Sequence, residues 1–163
     1  DFPTRCYKSK KILMESYFLV LVGCEKTTHP HMKKRIGRFI LNDFDINKLN
    51  ILILGLSFKE NTNDIRNSKI FDLCSYFKKK GHNITVYDPL VKVKIKDKNF
   101  KFLKKINFNK KFHGIFFAVP HNEILSQIHK IIHSAKKNAI IFDLKDALDS
   151  QHILPKNIEK INF

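Results

Sequence analysis

The sequence predicts an α/β fold: a parallel sheet with helices on both faces, preceded by a helical arm. Three observations predict it. Short continuous apolar runs, such as Ile51-Leu52-Ile53-Leu54, alternate with longer segments whose apolar residues recur at helical spacing. The order strand, loop, helix, strand recurs along the chain, and turn residues such as Gly55, Gly81 and Asp88-Pro89 punctuate it.

In chain order, a polar break at Lys26 to Pro30 precedes Met32, Ile36, Phe39 and Ile40, which recur on one helical face. Residues 1–47 are therefore read as a helical arm and residues 48–163 as the α/β domain. Ile51 to Leu54 is a strand buried on both faces and ends at Gly55. Ile70, Leu73, Cys74 and Phe77 then mark a helix, and Lys78-Lys79-Lys80-Gly81 supplies its basic last turn and terminal glycine. Ile84 to Tyr87 is the next strand, stopped by Asp88-Pro89, so the unit is a right-handed βαβ crossover.

Ile115 to Val119 and Ala139 to Phe142 are two further strands, separated by one helix carrying Ile124, Leu125, Ile128, Ile131 and Ile132. Between Val91 and Lys111 two readings stand. Val91, Val93 and Ile95 alternate with lysines, as in an edge strand guarded by charge, and a lysine-rich loop fits the same residues. The whole is a Rossmann-like sheet.

With 163 residues, 43% of them hydrophobic, the chain has enough apolar material for one core. A net charge of +16, from 31 Lys+Arg against 15 Asp+Glu, raises nucleic acid or an anionic membrane as partners. The excess is nearly all Lys, scattered beside abundant Asn, Ile and Phe, in the manner of an AT-rich genome. That pattern reads as solvated faces, so neither nucleic acid nor membrane is expected.

Cys6, Cys24 and Cys74 form no C-x-x-C pair and no metal-ligand spacing with His, which fits a reduced, cytoplasmic compartment. The apolar run Tyr17 to Val22 is far short of the ~20 residues of a membrane-spanning helix, and no signal peptide precedes it. A start at Asp1 rather than Met suits a fragment, a processed product or a trimmed chain.

In an open parallel sheet, ligands bind at the carboxyl ends of the strands near the topological switch point, so the loop from Gly55 to Ser68 carries the chemistry. A dinucleotide would need G-x-G-x-x-G there, and only Gly55 is present, so NAD is not expected in this chain. The loop instead brackets amides and hydroxyls between Lys59 and Arg66 ahead of a helix, which suits a diphosphate. An alternative stays open: Lys59 solvated, Thr62 or Asp64 capping the helix, and Arg66 paired with a surface carboxylate.

The loop Gly-Leu-Ser-Phe-Lys-Glu-Asn-Thr-Asn-Asp-Ile-Arg-Asn-Ser, followed by Val86-Tyr87-Asp88-Pro89, resembles the UDP-binding domain of the UDP-glucose and UDP-N-acetylhexosamine 6-dehydrogenase family. Ala118-Val119-Pro120-His121-Asn122-Glu123 is similar to the family's strand and His-x-Glu-type loop, and Phe142-Asp143-Leu144-Lys145 to its late Asp-x-Lys segment. Asp1 and Tyr7-Lys8-Ser9 resemble the stretch that follows the catalytic cysteine in the N-acetylhexosamine branch.

The resemblance implies NAD-dependent oxidation of a sugar C6 alcohol to a carboxylate through a cysteine thiohemiacetal, with this domain closing over the UDP portion. It implies that Lys59 contacts the UDP-sugar, that Phe58, Asn61, Asp64 and Arg66 shape or hold the loop, and that Ser68 begins the supporting helix. It places the catalytic cysteine just upstream of Asp1, so no catalytic residue is expected in this chain. Its partners would be a UDP-sugar, a missing NAD-binding domain, and a second copy joined through the helical arm as a homodimer.

The chain departs from the family pattern at Cys24-Glu25, where the family has an Arg pair reaching toward substrate, at Leu13-Met14-Glu15-Ser16, which replaces a Gly-Tyr-x-Pro turn, and at Asp146, where it prefers a small residue. Those departures motivate a second reading, a non-catalytic remnant that folds and dimerises at most. Cys6 is read as a packed thiol. His121, His129 and His133 lack the ligands that would close a metal site, and His129 and His133, on an Ile-rich helix, are read as a polar helix face.

Overall fold

The computed structural model describes residues 48–148, 154–156 and 158–162. The chain divides between Asn47 and Lys48, and all described residues belong to the second unit. The expected helical arm, with Cys6, Cys24 and the Tyr17 to Val22 run, lies outside the described residues.

Six strands form one sheet: β1 Asn50–Leu54, β2 Asn83–Tyr87, β3 Lys101–Leu103, β4 Phe112–Phe117, β5 Ala135–Asp143 and β6 Glu159–Asn162. Their spatial order is β3-β2-β1-β4-β5-β6 and every neighbouring pair is parallel. This is the Rossmann order, in which the chain first winds one way from β1 and then returns to wind the other way from β4.

Helix α1, Ile70–Lys79, links β1 to β2, while α2, Asn122–Leu125, and α3, Ile128–His133, link β4 to β5. Right-handed crossovers running in opposite directions must place these helices on opposite faces. The packing agrees. Leu52, Leu54, Ile115, Phe117 and Ile141 cluster with Ile124, Ile128, Ile131 and Ile132 of α2 and α3. On the other face, Phe116 lies 5.3 Å from Phe77 of α1 and stacks on Phe142 at 4.2 Å. Successive strand residues point to opposite faces, so continuous apolar runs are needed to fill both layers.

Helix α1 ends as its sequence predicts. Gly81 adopts φ +89, its amide donates to the Lys78 carbonyl at 2.9 Å, and the His82 amide reaches back to Phe77 at 3.2 Å. This paired closure satisfies carbonyls that would otherwise lack partners.

Several expectations are decided or corrected. Of the two readings open for Val91 to Ile95 the structure gives the loop: Val91 is buried but Val93 is 55% exposed, so the alternation keeps no common face inward. The edge strand lies further on, where Thr85, Val86 and Tyr87 pair with Lys101, Phe102 and Leu103. Strand β4 covers Phe112 to Phe117 rather than 115–119, because the amides of Ala118 and Val119 both turn to the Leu54 carbonyl. The single expected helix over 124–132 is two short ones: between them, the Ser126 hydroxyl and the Gln127 side chain both donate to the Glu123 carbonyl, competing with the helical ladder. Strand β6 was not expected; its segment carries too few apolar residues to stand out.

Candidate functional site

Adjacent strands β1 and β4 are left by connections running in opposite directions, which opens a crevice at their carboxyl ends. The loop after β1 enters it through Gly55. With φ +93, this residue has a backbone that side-chain-bearing residues rarely adopt, and a Cβ there would lie 2.5 Å from both Cβ and the carbonyl oxygen of Val119. Glycine lets the loops after β1 and β4 pass in contact.

The next two amides, of Leu56 and Ser57, donate to Asp88 Oδ2 at 2.7 and 3.1 Å, and Leu90 and Val91 amides donate to Oδ1 at 2.9 and 3.2 Å. In a dinucleotide-binding turn, amides at this place face the pyrophosphate. Here an internal carboxylate takes them, and the glycines that would admit a pyrophosphate are missing. The turn therefore does not suit NAD.

Asp88 is fully buried, which by itself raises a carboxyl pKa. The hydrogen bond from His121 and the amides of Leu56 and Leu90 outweigh that burial and hold it below the ordinary aspartate value.

His121 immediately precedes α2 and is fully buried. The helix starts one residue later, and the ring turns in to the loops after β1 and β2. Its Nε2 lies 2.9 Å from Ser57 Oγ and 3.1 Å from Asp88 Oδ2, and its Nδ1 accepts the Asn61 amide at 2.8 Å. Serine, histidine and aspartate thus meet without forming a nucleophilic relay. Such a relay needs serine and carboxylate on opposite ring nitrogens, whereas here both share Nε2.

Four of the five residues singled out from the sequence line one cleft of about 370 Å³: Phe58, Lys59, Asp64 and Arg66, with Thr62 and Asn67. Asn61 is not among the lining residues. Its φ is +56, and its side-chain oxygen accepts the Asn122 amide at 2.9 Å. Asn67 is left-handed too, at φ +61, and asparagine tolerates this backbone better than most residues.

The loop's two cations differ. Arg66 engages Asp64 through a fork, Nε to Oδ1 at 3.0 Å and Nη2 to Oδ2 at 2.8 Å, and the guanidinium holds the exposed Asp64 carboxyl at about 2. Lys59 pairs with no carboxylate among the described residues, and its ammonium sits 5.9 Å from the Phe58 ring centre. Its carbonyl accepts the Ser57 and Thr62 hydroxyls at 3.0 and 3.2 Å. Neither Thr62 nor Asp64 caps α1. Ser68 stands just ahead of it, its hydroxyl oxygen accepting the Ile70 amide at 3.3 Å.

After β5, Asp143 accepts the amides of Ala147 and Leu148 at 2.9 and 2.8 Å, and Lys145 approaches Glu60 of the β1 loop at 3.9 Å. Asp146 has φ +50, so its place in the turn favours residues that tolerate a left-handed backbone. Among the described residues, no group of three or more His, Cys, Asp or Glu could hold a metal ion, and no helix is long and apolar enough to cross a membrane.

Ser57, Asp88 and His121 were not among the candidate site residues. Asp88 reads as a strand stop and His121 as one of several histidines. Their common signal is position: each lies in the loop that follows a buried strand at the sheet's carboxyl edge.

Residues 52–150 match the model of the UDP-glucose/GDP-mannose dehydrogenase family, UDP binding domain. Protein CapL of Staphylococcus aureus is 30% identical over 142 residues, covering 83% of this chain and 33% of CapL. The UDP-N-acetyl-D-glucosamine 6-dehydrogenase of Pseudomonas aeruginosa is 29% identical over 101 residues, 61% of this chain and 24% of that protein. The crystal structure of NDP-N-acetyl-D-galactosaminuronic acid dehydrogenase from Methanosarcina mazei Go1 shares the fold, with a TM-score of 0.62 at 18% identity over 81% of this chain and 28% of that one. This chain therefore spans a third or less of the length of these relatives. A doubly wound sheet with its conserved-fold neighbours, and a family match reaching from β1 past β5, lead to one conclusion: the chain belongs to the UDP-glucose/GDP-mannose dehydrogenase family and carries its UDP-binding domain.

Proposed function

We propose that this chain is the UDP-sugar-binding part of an NAD-dependent nucleotide-sugar 6-dehydrogenase, which converts a UDP-hexose or UDP-N-acetylhexosamine to its uronic acid in surface-polysaccharide biosynthesis. The observation that carries the reading is Lys59. Its backbone is anchored by two hydroxyls, the residue lines the cleft, and its ammonium has no carboxylate partner among the described residues. An unpaired cation on a fixed backbone suits a diphosphate.

Phe58 and Thr62 border the same cleft, while Asn61, Asp64 and Arg66 hold the loop's shape. The Asp64–Arg66 pair serves the second role because the guanidinium is already engaged. NAD binding and hydride transfer belong, in this proposal, to a separate NAD-binding domain, with the enzyme working in the cytoplasm as a homodimer. The curated relatives named as UDP-N-acetyl-D-glucosamine and UDP-glucose 6-dehydrogenases support a UDP-sugar as the substrate class.

Calorimetric titration of the full chain with UDP tests the reading. Saturable binding is expected, with none for NAD. A folded chain that takes up no UDP rejects it.

A further inference from the structure

We propose that His121 is a positioning residue: a neutral, Nε2-protonated imidazole that ties the loops after β1, β2 and β4 together and thereby sets the backbone of Lys59 in the cleft. The inference rests on the proposed UDP-binding role for its purpose, and on geometry alone for its mechanism.

The hydrogen-bond directions determine the protonation state. The Asn61 amide can only donate, so His121 Nδ1 must present a lone pair. The ring proton is then on Nε2. It faces Asp88 Oδ2 at 3.1 Å and Ser57 Oγ at 2.9 Å. Asp88 is an acceptor, and the Ser57 hydrogen is committed to the Lys59 carbonyl at 3.0 Å, so Ser57 Oγ also receives from Nε2. Every donor has an acceptor along the path from Asp88 through His121 and Ser57 to Lys59.

The same ring restrains the loop at a second place. Asn61, two residues beyond Lys59, is held by Nδ1 and, through its own side chain, by the Asn122 amide. Lys59 therefore lies between two points tied to the loop after β4, with the Thr62 hydroxyl as an additional donor to its carbonyl at 3.2 Å. A loop held in this way keeps its ammonium at the cleft before a ligand arrives, which reduces the ordering cost of binding. The imidazole is suited to the task because it offers a donor and an acceptor on opposite sides of a rigid ring, which neither lysine nor a carboxylate can do.

Three variants separate the two halves of the clasp. His121→Asn keeps an acceptor near Nδ1 for the Asn61 amide, His121→Gln keeps a donor near Nε2 for Asp88, and His121→Leu removes both. Ser57→Ala breaks the relay to Lys59 with the smallest change in volume and serves where His121→Leu fails to fold. Nitrogen NMR of the wild-type chain should identify one histidine, absent in the variants, as the Nε2-protonated tautomer. Exchange of the Asn61 amide should rise about tenfold or more in His121→Leu, recover in His121→Asn, and leave the amides of β1 and β4 protected.

UDP affinity should fall about tenfold in His121→Leu or Ser57→Ala, while Lys59→Ala weakens binding without altering Asn61 exchange. A doubly protonated or Nδ1-protonated His121, or unchanged exchange and affinity in both His121→Leu and Ser57→Ala, would overturn the inference. Absence of UDP binding in the wild-type chain would reject the proposed function instead, and the tautomer and exchange results would still decide whether the clasp exists.

Discussion

Asp88 Oδ2 receives His121 Nε2 at 3.1 Å where solvent reaches neither side chain, so a carboxylate and an imidazole join the loops after β2 and β4 inside the domain. The carboxylate also gathers the amides of Leu56, Ser57, Leu90 and Val91. It organises the crevice from within.

Removing that carboxylate leaves several buried donors without partners. Asp88→Ala should destabilise the domain by about 3 kcal/mol or more, as when one member of a buried charged network is deleted. Urea denaturation followed by circular dichroism measures the loss. A change within error of zero would mean that water replaces the carboxylate at no cost.

Gly55 and Gly81 have nearly the same φ, +93 and +89, but different surroundings. An added Cβ at Gly55 meets Val119 at 2.5 Å, whereas at Gly81 nothing lies within 4 Å. Gly81→Ala should therefore cost only the backbone term, ~1 kcal/mol, and Gly55→Ala at least ~2 kcal/mol because the two loops must also separate. Equal melting-temperature shifts for the two variants would contradict this assignment.

Lys59→Ala should weaken UDP binding by ~1.5–3 kcal/mol, the range for a hydrogen bond to a charged group, with little effect on folding because the side chain has no carboxylate partner among the described residues. Calorimetry at two salt concentrations checks it. The loss should shrink at the higher one if the contact is with a solvent-exposed phosphate.

His82 is buried beside Leu49, whose amide it accepts on Nδ1 at 3.4 Å. Burial, with help from the charges of Lys80 and His113, lowers its pKa below the ordinary histidine value. The unfolded chain then binds the proton more readily than the folded one, so this residue's contribution is complete above the ordinary value and declines as pH falls below it. Urea midpoints should drop between about pH 7 and pH 5, in the range of an unperturbed histidine. His82→Asn, which keeps an acceptor but does not titrate, should flatten that slope. A slope identical to wild type would assign the acid sensitivity elsewhere, with His113, whose pKa is also lowered by burial, as the next residue to test.

The periodicity of apolar residues determined much of the architecture. Ile51 to Leu54 could only be a strand covered on both sides, and Ile70, Leu73, Cys74 and Phe77 ended by Gly81 could only be a helix with a closed terminus, because burial and backbone hydrogen bonding act locally. The family was legible for a similar reason: its loop is one contiguous run, with Lys59 and Arg66 in view of a reader of the chain. What the sequence by itself did not decide was which side chains meet. Ser57, Asp88 and His121 are 31 to 64 positions apart, and no local rule links them. Whether Arg66 faces a ligand or its neighbour Asp64, and whether Val91 to Ile95 is strand or loop, likewise depended on what packs against each segment. Only the parallel order of the sheet, which gathers the ends of β1, β2 and β4 at one edge, turns three distant polar residues into one buried contact.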